Sequence, residues 1–375
     1  MANSASFFTW RCVPLIIYTA RRGDTVQSVA RRFSLGEEEL VRLNALSDRT
    51  RLTAGLALAV PRGEARRRTR RVIAACSRAL SPSAAGELMP CLSFFCPCRF
   101  FPAPGGALTV MSGSDCAEEA RSCAAAPLLG LVNLDGGGAF SPAAAHEIIS
   151  DVSVQDALIE RAHSICSERG YRGLYLELGY LYPFDREGFC SFVRRAAESM
   201  HRRGRLLVCA AESGADRLDE ADLVVLLCCD WGFALSSPRP ISPADRIRAA
   251  LEEELKGFDG KRLLMGFSWR GCCWTLPWRQ GVAASAMSAG TAAELAVSLG
   301  ADIKYDSLSA APHFTYTDAS GVRREVWYDD LRSAISRFEL IDEYSLGGLC
   351  YRSAETVSRP LLYAQQAYFE TAKFI

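Results

Sequence analysis

A chain of 375 residues, 49% hydrophobic and 23% charged, is long enough for one large globular domain and a small one. Lys+Arg and Asp+Glu both number 43. That zero formal charge argues against nucleic acid as the main partner, because phosphate binding leaves a basic excess. No apolar run approaches the ~20 residues of a membrane span, and Arg11 breaks the first eighteen residues, which lack a basic start; neither a signal peptide nor a transmembrane segment is expected.

From the N-terminus, three parts stand out. Residues 14–62 read as a compact unit: a strand into Tyr18, the turn Gly23-Asp24-Thr25, a first helix, a second helix ending at Asn44, and a closing strand from Leu52 to Pro61. Asp24 or Thr25 is placed to accept the free amides of the first helical turn. Val26, Val29, Ala30 and Phe33 fall on one helical face. Residues 63–71, Gly-Glu-Ala-Arg-Arg-Arg-Thr-Arg-Arg, form a basic connector kept solvated by its own repulsion.

From Val72 to the C-terminus, strand-like runs alternate with helix-like ones. Residues 128–134 read as a buried strand, and Ser141-Pro142 then starts a helix with a hydroxyl cap and proline at the first position. A helix over about 154–169 follows, then strand 173–180, helix 186–203, and strands 205–211, 223–229, 261–269 and 347–351. Repeated strand-helix units imply parallel strands. This many in ~300 residues favour a closed (β/α)8 barrel, whose function sits at the C-terminal ends of the strands.

Fifteen cysteines occur as adjacent pairs, as Cys96-Pro97-Cys98, and as singles in apolar runs such as Cys209 and Cys350. An odd count without regular spacing reads as reduced thiols packed as small hydrophobes. The four histidines form no cluster with cysteine at zinc spacing, so neither a metal nor a cofactor is expected.

The order and spacing of Tyr18-Thr19-Ala20-Arg21-Arg22-Gly23-Asp24-Thr25-Val26, Val29-Ala30-Arg31-Arg32-Phe33, Leu40–Asn44 and Leu52–Pro61 resemble LysM domains across the whole module. The resemblance implies binding of N-acetylglucosamine polymers, peptidoglycan or chitin. Gly23, Asp24 and Thr25 would line one side of a shallow groove, and Leu52, Thr53, Ala54 and Gly55 the other.

Six segments of the large part resemble the spore-cortex branch of glycoside hydrolase family 18: Asn133–Gly138 before Phe140-Ser141-Pro142, Leu227–Gly232, Gly271–Pro277, Ile303–Asp306, His313–Tyr316 and Glu325–Asp330. The resemblance implies a TIM barrel over 72–375 with a small hairpin insertion at about 280–330, preceded by a βααβ module.

That family's motif is D-x-x-D-x-D-x-E, the Glu being the general acid of a substrate-assisted reaction. Here its four positions fall on Arg172, Tyr175, Glu177 and Gly179. Three carboxylates are absent, the third survives only as Glu, and glycine stands at the acid position. Side chains alternate along a strand, so Tyr175, Glu177 and Gly179 face the interior, with Glu177 ~6.5 Å deeper than the acid position. A general acid must lie within ~2.6–3.2 Å of the oxygen it protonates, so Glu177 falls short. Two roles stay open to it: an acceptor for a bound acetamide, or a structural carboxylate held by Arg172 or a neighbour.

The Tyr of Met-x-Tyr-Asp is replaced by Cys229, and the indole of the last strand by Arg352. Tyr175, Glu177, Asp230, Trp231, Trp274 and Tyr351 are the sugar-contact candidates of the barrel, with core packing the alternative for the tryptophans. The whole reads as a glycan-binding protein with an inactive barrel, made in the cytoplasm and associated with the spore or cell wall, where spore-coat proteins are candidate partners. The alternative is an active hydrolase of N-acetylglucosamine-containing peptidoglycan, using Glu177 or an acid from a loop.

Overall fold

The computed structural model describes residues 14–48, 50–65, 68–77, 80–97, 99–103, 107–110, 116–135, 139–212, 218–228 and 235–374. In the N-terminal module, β1 (Pro14–Thr19), α1 (Val26–Arg32), α2 (Glu37–Asn44) and β2 (Ala57–Ala65) follow the expected βααβ order. The cap falls to Thr25. Its hydroxyl accepts from the Ser28 amide at 3.0 Å and its own amide donates to the Ser28 hydroxyl at 2.9 Å, satisfying two amides reciprocally. Val26, Val29 and Ala30 turn inward against Leu40, Leu58 and Val60, and β1 pairs antiparallel with β2.

The large part is a closed ring of eight parallel strands. In ring order these are β3 (Thr69–Cys76), β4 (Phe94–Cys96, continued past a break by β5, Arg99–Ala103, which hairpins with β6, Ala107–Val110), β7 (Ala126–Val132), β8 (Gly173–Glu177), β9 (Leu206–Ala211), β10 (Leu223–Leu226), β11 (Leu263–Phe267) and β17 (Gly348–Tyr351). Pairing of β17 back onto β3 closes the barrel. Helices α3 (Pro82–Leu88), α4 (Ala117–Ser122), α5 (Pro142–Ser150), α6 (Val152–Arg169), α7 (Arg186–Arg202), α8 (Ala244–Glu254), α10 (Leu331–Glu343) and α11 (Arg359–Tyr368) are its crossovers.

Strand alternation sorts the side chains. Ala74, Cys76, Phe94, Leu128, Tyr175, Val208, Leu264 and Cys350 fill the lumen, while Ile73, Leu129, Leu174, Leu207, Leu349 and Tyr351 meet the helices. The twelve described cysteines are thiols, ten of them buried. Burial pushes the Cys91 and Cys166 thiols up to about 11, far from the thiolate needed for reaction at neutral pH.

Between β11 and α10 lies an antiparallel sheet of β12 (Arg270–Leu276), β13 (Ser285–Ser288), β14 (Lys304–Asp306), β15 (Ala311–Thr317) and β16 (Arg323–Tyr328), with α9 (Ala289–Leu299) across it. This insertion begins ten residues earlier than expected, because β12 pairs with β16 from Gly271↔Tyr328 onward and lies between β13 and β16 in its sheet. The basic connector is likewise shorter than 63–71. β2 runs on to Ala65, and β3 starts at Thr69 by pairing with β18 (Phe369–Thr371).

The N-terminal module is docked on the barrel, not tethered. The Thr53 hydroxyl donates to the Ala301 carbonyl at 2.7 Å, the Ile303 amide to the Ala54 carbonyl at 2.8 Å, and Arg332 to the Gly55 carbonyl at 3.0 Å. Gly55 is required twice over. Its φ is +88°, and a Cβ there would lie 2.0 Å from the Ile303 carbonyl oxygen.

Buried His163 pins α6 to α7. Arg205 donates to its Nδ1 at 2.7 Å, which leaves the proton on Nε2, 2.9 Å from the Ser199 hydroxyl. Burial, then the charges of Arg203 and Arg205, hold its pKa below the ordinary 6.5. On acidification the unfolded chain takes the proton first, so stability present above about pH 6.5 is lost below it. His163→Gln should flatten the fall in unfolding free energy between about pH 7 and 5, measured by urea denaturation. An unchanged slope would assign the acid sensitivity elsewhere.

Candidate functional site

At the C-terminal end of β8 the chain leaves the strand at Glu177 and bends through Leu178, Gly179 and Tyr180, the last with φ +56°. Glu177 points into the lumen and is 1% exposed. The Tyr175 hydroxyl donates to one of its oxygens at 2.9 Å, and the Arg352 guanidinium pairs with the other. Arg172, the partner considered from sequence, is exposed at the opposite end of the strand. Arg352 takes its place because it stands two residues beyond inward-facing Cys350, in the same alternation. Burial and the neighbouring Cys76 and Glu177 raise the Tyr175 pKa well above its ordinary value, so its hydroxyl stays a proton donor.

Below this network the lumen is full. The space among Ala74, Cys76, Phe94, Tyr175, Leu264 and Cys350 is only 10 Å³, at the lower limit for one water. Above it, Gly179 is boxed in. The Asn133 side chain accepts from its amide at 2.7 Å and donates to its carbonyl at 2.9 Å, and a Cβ on Gly179 would meet the Phe140 ring at 2.8 Å. An aromatic ring therefore occupies the space that a side chain at position 179 would enter.

The remaining barrel candidates do not converge there. Tyr351 faces away from the lumen, its ring edge-on to Phe267 and its hydroxyl donating to Gln365 at 2.9 Å, because the alternation that turns Cys350 inward turns Tyr351 outward. Trp274 is buried inside the insertion, where its indole donates to the Ser236 carbonyl at 2.8 Å; of its two readings, core packing fits. Asp230 and Trp231 lie outside the described residues. A cleft of 190 Å³ between the N-terminal module and the barrel, lined by Leu46, Trp269, Ala293 and Tyr328, sits away from these strand ends.

In the N-terminal module the two sets of candidates are neighbours, joined by a bridge between Thr25 and Arg51. They differ in access. Gly23 and Thr25 are exposed, and Asp24 accepts from the Tyr18 hydroxyl at 2.5 Å and the Arg21 amide at 2.8 Å. Leu52 is half-buried, while Thr53, Ala54 and Gly55 carry the contacts that dock the module.

Residues 18–61 match the LysM domain family. Over 229 residues the chain is 32% identical to the cortical fragment-lytic enzyme of Bacillus subtilis strain 168, a match spanning 57% of this chain and about half, 53%, of that relative. The crystal structure of the Bacillus megaterium QM B1551 spore cortex-lytic enzyme SleL superposes with a TM-score of 0.76 at 23% identity, covering 96% of this chain and 87% of that one. A chitinase from Chromobacterium violaceum ATCC 12472 superposes at 0.72 with 18% identity, over 79% and 98% of the two chains. The protein is a LysM domain joined to a glycoside hydrolase family 18-like barrel.

Within the family 18-like barrel, sequence reasoning missed Phe140 and Asn133. It read Arg352 only as a lost indole. The signal for Arg352 was strand parity together with a buried carboxylate in want of a partner. Phe140 had none, since it reaches Gly179 from a different βα loop. Arg352→Met strips Glu177 of its ion pair and should cost about 3–5 kcal/mol in denaturant unfolding. Arg352→Met with Glu177→Gln should recover most of that loss. Equal stability of single and double variants would show that the pair carries no such weight.

Proposed function

We propose that this protein binds N-acetylglucosamine-containing glycan at the spore or cell wall and that its barrel does not hydrolyse it. One observation carries the reading: glycine stands at the acid position and the Phe140 ring fills the space above it. Two more support it. Glu177 is tied into the lumen by Tyr175 and Arg352, one strand step too deep to protonate a glycosidic oxygen. The lumen beneath has no room for a sugar ring. Glycan contact is assigned to the LysM domain, chiefly its exposed edge at Gly23–Thr25.

General acid catalysis supplies about 10²–10⁴-fold, and the chain as it stands should lack that factor. Release of sugar from N-acetylglucosaminide substrates should not exceed buffer, and Glu177→Gln should leave that result unchanged. Gly179→Glu alone should stay inactive because of Phe140. Wild-type turnover abolished by Glu177→Gln would instead establish an active hydrolase.

The full chain should co-sediment with peptidoglycan or chitin, with an affinity nearly independent of salt, since a neutral sugar releases few counterions. Binding that collapses as salt rises would point to the arginines of the connector rather than to the LysM domain.

A further inference from the structure

The LysM domain meets the barrel tightly at Thr53, Ala54 and Gly55, yet beside those contacts the two bodies stand apart. The gap is the cleft of 190 Å³. One side comes from the end of α2 and from β2, the other from α9 and the start of α10. Neither Gly23–Thr25 nor Leu52–Gly55 lines it, so it is separate from the edge assigned to sugar. Its floor is apolar and buried, made by Leu56, Leu58, Trp269 and Leu331, while Ser47, Arg51 and Glu294 are exposed around it.

One polar group in this apolar setting is unsatisfied. Tyr328 lines the cleft and is 2% exposed, and its hydroxyl has no hydrogen-bond partner among the described residues. A buried hydroxyl without a partner is costly, and native structures keep one for a reason. The side chain is packed from two sides, by the edge of Phe314 with centroids 6.2 Å apart and by Gly271, where a Cβ would lie 2.8 Å from that of Tyr328. Burial, and then the charge of Asp330, raise its pKa well above the ordinary value, with Arg332 opposing. The hydroxyl is therefore a proton donor at neutral pH. Those two charges also mark where it lies: Asp330 lines the cleft, and Arg332 donates to the Gly55 carbonyl across the module boundary. Asp330 is already paired with Arg332, at 2.9 Å, and leaves Tyr328 as the donor without an acceptor.

We propose that this cleft binds a small uncharged molecule, one apolar ring in size, whose carbonyl oxygen accepts from the Tyr328 hydroxyl. Size and polarity both point there. An apolar cavity of about 150 Å³ holds benzene, so this cleft has room for a ring with a short substituent. A charged ligand would lose its hydration against Leu56, Leu58 and Trp269, and a free sugar would leave several hydroxyls unpaired there. The site does not depend on the glycan reading. A molecule seated in it touches both bodies, so its binding braces the dock and stabilises the folded chain.

The test uses the full chain with two probes, benzamide, which has a ring and a carbonyl, and toluene, which has the ring alone. Methyl NMR of protein labelled at Leu and Val should show benzamide shifting Leu46, Leu56, Leu58 and Val297. Tyr328→Phe should weaken benzamide about fivefold, the worth of one hydrogen bond, and leave toluene unchanged. Ala293→Phe, at a half-buried position on α9, should fill the cleft and abolish both with the melting profile retained. Shifts confined to other methyls, or none with either probe, would overturn the proposal without recourse to a variant. Unaltered benzamide affinity in Tyr328→Phe would show that water satisfies the hydroxyl and would overturn it too. Displacement of benzamide by the tetramer of N-acetylglucosamine would make the cleft part of the sugar surface, again overturning a separate site.

Discussion

A carboxylate removed from water must be paired or protonated, and the centre of this barrel is built around that requirement. Glu177 is enclosed on every side, and its partner Arg352 comes from the end of β17, four strands away around the ring of eight. The ion pair is thus a tie across the diameter of the barrel. It leaves Tyr175 locked as a donor beneath it. Replacing either residue alone strands a charge in the interior.

The closure above that pair is separate. Phe140 and Asn133 belong to the loop after β7 and act on Gly179, one strand over. The proposed lack of hydrolysis therefore has three separate structural supports: glycine at position 179, the Phe140 ring packed beside it, and the paired Glu177 carboxylate below.

Strand and helix order, the barrel, the Thr25 and Ser141 caps and the burial of the thiols were legible because each follows from local pattern: alternation, hydroxyl-proline starts, apolar runs. Inward orientation of Tyr175 and Glu177 followed from parity alone. The same parity, applied to Cys350 and Tyr351, would have placed Tyr351 outside, and resemblance to the family's last strand obscured it. Phe140 over Gly179 is a contact between residues 39 apart on different loops, which no local pattern encodes. The start of the insertion was misplaced for a similar reason, since Gly271–Leu276 is apolar enough to pass for barrel wall and only its antiparallel partners distinguish it.

Docking of the LysM domain through Gly55, Ile303 and Arg332 has a consequence for how the molecule meets a polymer. With a flexible tether, a second contact would be found by diffusion within the volume the tether sweeps. With a fixed dock, the separation and angle between the module's edge and the barrel's rim are set in advance. The entropy of bringing them into register is spent during folding. The interface between the modules thus holds the LysM edge at one distance and angle from the barrel mouth, whatever either surface meets.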